Sequence, residues 1–404
     1  MVKVRKNPLS SDKNFLLFRA MLGHLPVLIY FVPLIVFTVL GKIYITTRYR
    51  HLIPSLLQYF LIGTVSFILV LIFTPLCMKI ARRFNIVAKV DGRRSKGFIP
   101  VPLLGGTGIY LSFLIVALYH QPWAHEIQAI AVASSIIFII GTMDDIRPLS
   151  SIARLLGQLL AAGIVIGAGL RISFMPHTWW GECLAILMTL IWILGIINAT
   201  NFIDGVDGLA AGFTVIASMF FFLITLHLQE FGVALISIIL VGCGLGFLVF
   251  NFKPAKIYLG DGGSTFMGFL LACLALYGQW SHWGPIIACG IPVLILSVLI
   301  FDMIYITISR IRNGHVRNFR QWLDYRGQDH FHHRLIHLGF KEEEAVVFIY
   351  STSIILGLSA LVIENARVSY PVVVLLIQAV LIFINTTILM LTGRQMLINA
   401  SDKK

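Results

Sequence analysis

Apolar runs of bilayer-crossing length recur along this chain from end to end, and they limit what it can fold into more than any other feature. A membrane-spanning helix needs roughly 17–25 apolar residues. Twelve candidate spans lie near 25–45, 56–78, 103–120, 127–141, 155–171, 183–198, 209–228, 232–250, 264–277, 285–308, 346–364 and 371–392. Only 12% of the 404 residues are charged, against about 25% in ordinary globular domains. The pattern predicts an all-α polytopic membrane protein of about 11–12 transmembrane helices rather than a soluble domain with an anchor. The basic, then apolar start lacks a small-residue cleavage site and reads as a retained helix. The five cysteines lie in or near apolar runs with no CxxC pair, so they read as packing residues.

Charge orients the spans, because Lys and Arg favour the cytoplasmic side. With twelve spans, the loops at 79–102, 142–154, 199–208, 251–263 and 309–345 share a face with both termini. That face holds 26 of the 31 Lys and Arg residues; Lys42, Arg48, Arg50, Arg171 and Arg367 lie opposite. Eight of the eleven aspartates fall in the same loops. Carboxylates gathered at one interface suit an active site facing cytosolic substrate; a pore or proton relay would scatter them through the bilayer. The organisation expected is a basic segment with an extra helix at 1–55, a catalytic core at 56–345 and C-terminal helices with a short basic tail at 346–404. The basic residues flank the membrane and meet lipid headgroups; no nucleic-acid partner is expected.

Five polar stretches carry the chemistry. NATNFIDGVDGLAAG at 198–212 sets Asn198, Asn201, Asp204 and Asp207 three residues apart, with Gly205 and Gly208 letting a phosphate approach the backbone. In GTMDDIRPLSS the adjacent Asp144 and Asp145 repel each other unless a cation or proton sits nearby. They suit a general base or a Mg²⁺ site, or else a helix cap with Ser150 and Ser151. KPAKIYLGDGGSTF sets Asp261 among glycines at a helix start, where backbone N–H groups bind anions. A divalent metal would reconcile that carboxylate with a phosphate. DHFHHRL at 329–335 clusters His330, His332, His333 and Arg334. It lacks the cysteines or HExxH spacing of a zinc site and better suits a phosphate, with a lipid-binding amphipathic helix as the plainer reading. The basic loop at 79–106 ends in PLLGG.

Together these motifs resemble the polyprenyl-phosphate N-acetylhexosamine-1-phosphate transferases. The resemblance rests on PLLGG at 102–106, DDIRPLS at 144–150 with Gln158, NATNFIDGVDGLAAG at 198–212, FN with KPAKIYLGDGGS at 251–264, and DHFHHRL at 329–335. It covers roughly 56–345, in order and on one face. DDIRPLSSIARLLGQ, and Asp302 and Arg310 in FDMIYITISRIR, are similar to the branch that starts O-antigen, lipopolysaccharide or teichoic acid chains. The phospho-MurNAc-pentapeptide transferases of peptidoglycan synthesis form the alternative branch. Gly97 and Leu103 depart from the pattern of the first loop, where Lys96 would meet substrate.

The resemblance implies transfer of N-acetylhexosamine 1-phosphate from a UDP-sugar to undecaprenyl phosphate with release of UMP, at the cytoplasmic face of a bacterial inner membrane. It makes Asp261 the first ligand of Mg²⁺ (Mn²⁺ as substitute), with Asn201 as companion. Asn251, Tyr258 and Asp207 would shape the uridine pocket, and His330, His332, His333 and Arg334 would hold the sugar diphosphate. Asp144, Asp145 and Asp204 would be catalytic. A homodimer is compatible with it. Three rivals explain less. A transporter would be expected to show internal repeats and midplane ionisable groups. An intramembrane aspartyl protease would leave four motifs without a role, and a CDP-alcohol phosphotransferase lacks its downstream aspartates here.

Overall fold

The computed structural model describes residues 53–88, 100–120, 124–228, 230–278, 280, 284–318, 321–322, 325, 327, 329–364, 368 and 370–402. The expected helix at 25–45 and Lys96 lie outside them. Thirteen helices follow one another among the described residues: α1 Ile53–Arg83, α2 Gly105–Tyr119, α3 His125–Ile146, α4 Ser151–Gly167, α5 Trp179–Ile203, α6 Leu209–Leu228, α7 Phe231–Asn251, α8 Gly260–Tyr277, α9 Pro285–Ile295, α10 Ser297–Arg312, α11 Phe331–His337, α12 Glu342–Glu364 and α13 Tyr370–Asp402. Among the described residues seven helices are long and apolar enough to cross a membrane: α1, α3, α5, α6, α7, α12 and α13. The protein is an all-α, multi-pass membrane protein.

The remaining expected spans depart from that simple form. α2 and α4 are short apolar helices, and the run at 285–308 is not one helix. It breaks at Leu296 into α9 and α10, bent by 76°. Pro292 inside α9 has no N–H to donate and crowds the preceding turn. Ser297, just past the break, donates its hydroxyl to the Leu294 carbonyl at 2.7 Å, so that carbonyl keeps a partner. Hydropathy registers the apolar run but not the bend.

α8 forms the centre, packed by α2, α3, α5, α6 and α7. Its Phe266, Met267, Phe269 and Leu270 are fully buried. Lipid is as apolar as a leucine side chain, so close packing rather than water exclusion must hold such helices together. Tyr110 of α2 stacks on Phe138 of α3 at 4.0 Å, and both meet Phe266 edge-on. Aromatic pairs of this kind contribute about 0.5–1.5 kcal/mol beyond buried area. α1 and α13 instead present Leu57, Phe60, Ile72, Ile377 and Ile384 outward, where a bilayer would cover them.

The polar loops collect at one end of this bundle. The ends of the basic loop are pinned there by an antiparallel bridge between Val87 and Pro102. Pro102 and Gly105 then pair with the backbone of Tyr258, and Gly106 N donates to Leu259 O at 2.8 Å. A Cβ on Gly106 would stand 2.3 Å from the Gly263 Cα, so only glycine lets α2 and α8 begin this close together. The PLLGG motif thereby sets the height at which α8 starts, and with it the position of Asp261.

Candidate active site

A helix start leaves four backbone N–H groups without partners inside the helix. At α8, Asp145 takes two of them: Oδ1 accepts from Asp261 N at 2.8 Å and Oδ2 from Gly262 N at 3.0 Å. The sequence pattern reserves this glycine-rich turn for a substrate phosphate; in the structure the anion on these two donors is Asp145. Asp144 points elsewhere. Its Oδ1 accepts from Leu149 N at 2.5 Å and its Oδ2 meets Arg154 at 3.2 Å. It also lies within hydrogen-bonding reach of the Asp261 carboxylate. The adjacent pair therefore divides: Asp145 fixes the backbone under Asp261, while Asp144 approaches its side chain. Ser150 is the residue that caps α4, accepting from Ala153 N at 3.2 Å.

Asn201 comes from the last turn of α5. Its Nδ2 donates to Asp261 Oδ1 and to Ser264 Oγ, both at 2.8 Å, so it orients the carboxylate and leaves its own Oδ1 for another partner. Asp204 caps the same helix. Burial, and then the charges of Asp261, Asp145 and Asp207, hold its carboxyl well above the usual carboxylate range. Among the described residues no three His, Cys, Asp or Glu side chains form a preformed metal cage. The hard oxygen donors of Asp261 and Asn201 suit a magnesium-type ion, which binds through one or two carboxylates plus substrate phosphates rather than an all-protein cage.

Asp261 and Asn201 stand in the wall between two cavities. One, of about 1120 Å³ counting its open mouth, is lined by Asp145, Asp204, Asp207, Asn251, Tyr258 and Glu342. The other, of about 630 Å³ likewise counting its open mouth, lies between α3, α4 and α5. Ile137, Ile140, Leu155 and Phe202 line it together with the polar side chains of Arg154 and Gln158. In the larger cavity Tyr258 is half-buried and available for stacking. Asn251 and Asp207 hold its loops. Asn251 accepts from Gly208 N at 3.0 Å and donates to Ile257 O at 2.9 Å, while Asp207 accepts from Ala255 N at 2.9 Å.

The histidine cluster sits behind this cavity rather than in its lining. His332 is fully buried, and neither ring nitrogen has a hydrogen-bond partner. Burial, with His333 and His330 beside it, pushes its pKa down to about 2, so the ring is neutral. It backs onto Gly205, a residue of the cavity wall. A Cβ there would lie 2.6 Å from His332 Nε2, so glycine is required at that position. His333 is half-buried beside the same glycine, and burial also lowers its pKa. Arg334, expected to face a diphosphate, donates to Asp329 O at 2.8 Å and Ser309 Oγ at 2.9 Å and covers the Tyr305 ring.

Arg154 escaped the reading of the motifs. The signal is its place in the first turn of α4, where a cation opposes the helix dipole and calls for a nearby anion. Gln158 accepts from Asn198 Nδ2 at 3.1 Å, tying α4 to α5 in the wall of the smaller cavity.

Residues 127–279 match the profile of the family described as Glycosyl transferase family 4. The chain is 33% identical over 310 residues to a probable undecaprenyl-phosphate N-acetylglucosaminyl 1-phosphate transferase of Bacillus subtilis, covering 75% of this chain and 84% of that one. It is 29% identical over 324 residues to the decaprenyl-phosphate N-acetylglucosaminephosphotransferase of Mycobacterium leprae, covering 72% and 80%. A phospho-N-acetylmuramoyl-pentapeptide-transferase of Lacticaseibacillus paracasei is 31% identical over 202 residues, covering 45% of this chain and 63% of the relative. The chain is a membrane-embedded phospho-sugar transferase. It belongs to glycosyl transferase family 4.

Proposed function

We propose that this protein transfers N-acetylhexosamine 1-phosphate from a UDP-sugar to undecaprenyl phosphate at the cytoplasmic face of a bacterial inner membrane, the first membrane step of a cell-surface glycan. The observation that carries this reading is the pair of unlike cavities meeting at Asp261 and Asn201. The larger, polar one suits a nucleotide sugar from solution, with Tyr258 to stack on uracil. The smaller has apolar walls leading to Arg154, as a phosphate on a hydrocarbon tail requires. A phosphate oxygen of the acceptor attacks the β-phosphorus of the donor; the bond from that phosphorus to the bridging oxygen breaks, and UMP leaves with the electron pair. A phosphate nucleophile needs positioning and charge neutralisation more than a base. Asp144 then serves to orient Arg154, and Asp145 to hold the α8 turn. Asp261, with the free Asn201 oxygen and Asp204 nearby, would hold Mg²⁺. Such an ion supplies charge neutralisation on the diphosphate oxygens when bound.

The test is UMP release by the purified protein in detergent with undecaprenyl phosphate and a panel of UDP-sugars. UMP is expected with UDP-N-acetylglucosamine or another simple N-acetylhexosamine donor, and only when lipid phosphate is present. Release with UDP-MurNAc-pentapeptide alone would move the protein to the peptidoglycan branch. Absence of release with every donor would overturn the reading.

A further inference from the structure

α10 carries two ionisable residues that the transfer reaction does not use, and both are buried: Asp302 is fully buried and Arg310 is 1% exposed. Each grips the segment that starts α11. Asp302 Oδ1 accepts from Phe331 N at 2.7 Å, and its Oδ2 pairs with His330 Nδ1 at 3.0 Å. Arg310 forms a two-pronged bond to Asp329, Nε to Oδ2 at 2.8 Å and Nη2 to Oδ1 at 2.7 Å. Its Nη2 also reaches His330 Nε2 at 3.4 Å. The Arg310 guanidinium lies over the Tyr325 ring at 4.6 Å, while Phe202, next to Asn201, packs on the His330 ring at 4.8 Å.

The direction of these bonds decides the role of His330. A guanidinium N–H can only donate, so Nε2 must accept. Nδ1 then carries the proton and donates it to Asp302. Both nitrogens are committed within the protein. His332, two residues further on, has neither committed. We propose that Asp302, His330, Arg310 and Asp329 form a positioning unit that holds α11 and its His332 and His333 against the Gly205 wall, and that His330 is not itself a ligand of the donor. The inference rests on the transferase reading for its kinetic test alone.

The unit has a single sense of proton donation, from Arg310 through His330 to Asp302. Asp302→Asn turns one acceptor into a donor. His330 can meet that only by changing tautomer, which then sets an N–H against Arg310. His330→Ala removes the link, while His330→Asn keeps an amide nitrogen near the place of Nδ1.

The experiment measures UMP release against UDP-N-acetylglucosamine concentration, and thermal unfolding in detergent, for D302N, H330A, H330N and the D302N/H330A double variant. H330A is expected to lower kcat by ~10²-fold, the scale of a misplaced reacting group. Its donor KM should change by less than about 3-fold, since no substrate contact is lost. H330N is expected to recover to within ~10-fold of the wild type. The double variant should be no worse than H330A, because residues acting as one unit are not additive. A raised donor KM in both H330A and H330N would mark a lost ligand and overturn the proposal. The unfolding midpoints need no substrate. Additive losses in the double variant would overturn the unit even if the wild type released no UMP, and non-additive losses would sustain it.

Discussion

The two cavities on either side of Asp261 differ in nearly every respect except the residues they share. The larger is walled by loops: the turn after α5, the connection from α7 to α8, and the start of α12 at Glu342. The smaller is walled by helices, with isoleucine and leucine side chains from α3 and α4. A loop wall can re-form around a soluble ligand, whereas a helix wall is fixed by packing across the membrane. Their charge also differs. Asp145, Asp204 and Asp207 make the larger cavity acidic, while Arg154 faces the smaller. An acidic cavity repels a nucleotide diphosphate until a cation intervenes; a cavity with its own arginine does not need one. On the proposed reading the side that takes the lipid phosphate would need only the protein's own cation, while the side that takes the nucleotide sugar would need a divalent ion.

The largest effect should come from the residue both sides share. Asp261→Asn keeps the size and the Asn201 and Asp145 contacts at its backbone and side chain, but removes the charge. Turnover is expected to fall by at least ~10²-fold, the scale of losing a group that stabilises transition-state charge. Protein yield and thermal midpoint should change little. Turnover of Asp261→Asn near the wild-type value would dissolve the shared wall between the cavities as a mechanistic idea.

A smaller and one-sided loss should follow at Arg154. Arg154→Lys keeps a positive charge for Asp144 but gives up the planar fork that suits a phosphate. A charge-assisted hydrogen bond is worth about 1.5–3 kcal/mol, so KM for the lipid phosphate should rise by roughly 10–100-fold. KM for the UDP-sugar should stay within about 2-fold, since no donor-side contact is altered. Steady-state kinetics with each substrate varied in turn separates the two. An equal rise for both substrates would mean that the cavities do not sort them.

The membrane class and most of the helices were legible from apolar length, and the polar loops that share one end of the bundle from their charged and glycine-rich motifs. Each motif loop within the described residues reaches the same end of the bundle. The sequence could not reveal which polar groups are already spoken for. Asp145 and Asp261 are separated by 115 other residues, and nothing local indicates that one carboxylate will take the backbone donors beside the other. The same holds for His330 and Asp302, whose contact depends on the bend at Leu296 and on where α11 docks. Composition and spacing specify which chemical groups are available. Only the packing of α3 on α8, and of α10 on α11, decides whether a group faces substrate or another residue.

The smallest effect, and the one that best sharpens the contrast in charge, concerns Asp204. Burial first, and then Asp261, Asp145 and Asp207, raise its pKa well above the ordinary value. The folded protein therefore holds this proton more tightly than the unfolded chain, where a free Asp titrates near about 3.9. Stability from this group is fully present below that unfolded value and is lost as pH rises through the raised folded one. Asp204→Asn removes the charge that causes the loss. At pH 8 without divalent cations the variant should be more stable than the wild type, by ~0.5–2 kcal/mol, as is common when a functional site is relieved of strain. Its thermal midpoint should also vary less with pH, because the titrating group is gone. Added Mg²⁺ should narrow the difference from the wild-type side, since a bound cation offsets the repulsion that Asn removes. Thermal unfolding in detergent from pH 4 to pH 8, with and without Mg²⁺, reads all three. A variant less stable than the wild type at pH 8 would show that Asp204 is held by favourable contacts rather than crowded by like charges, and the larger cavity would then be no more strained than the smaller one beside it.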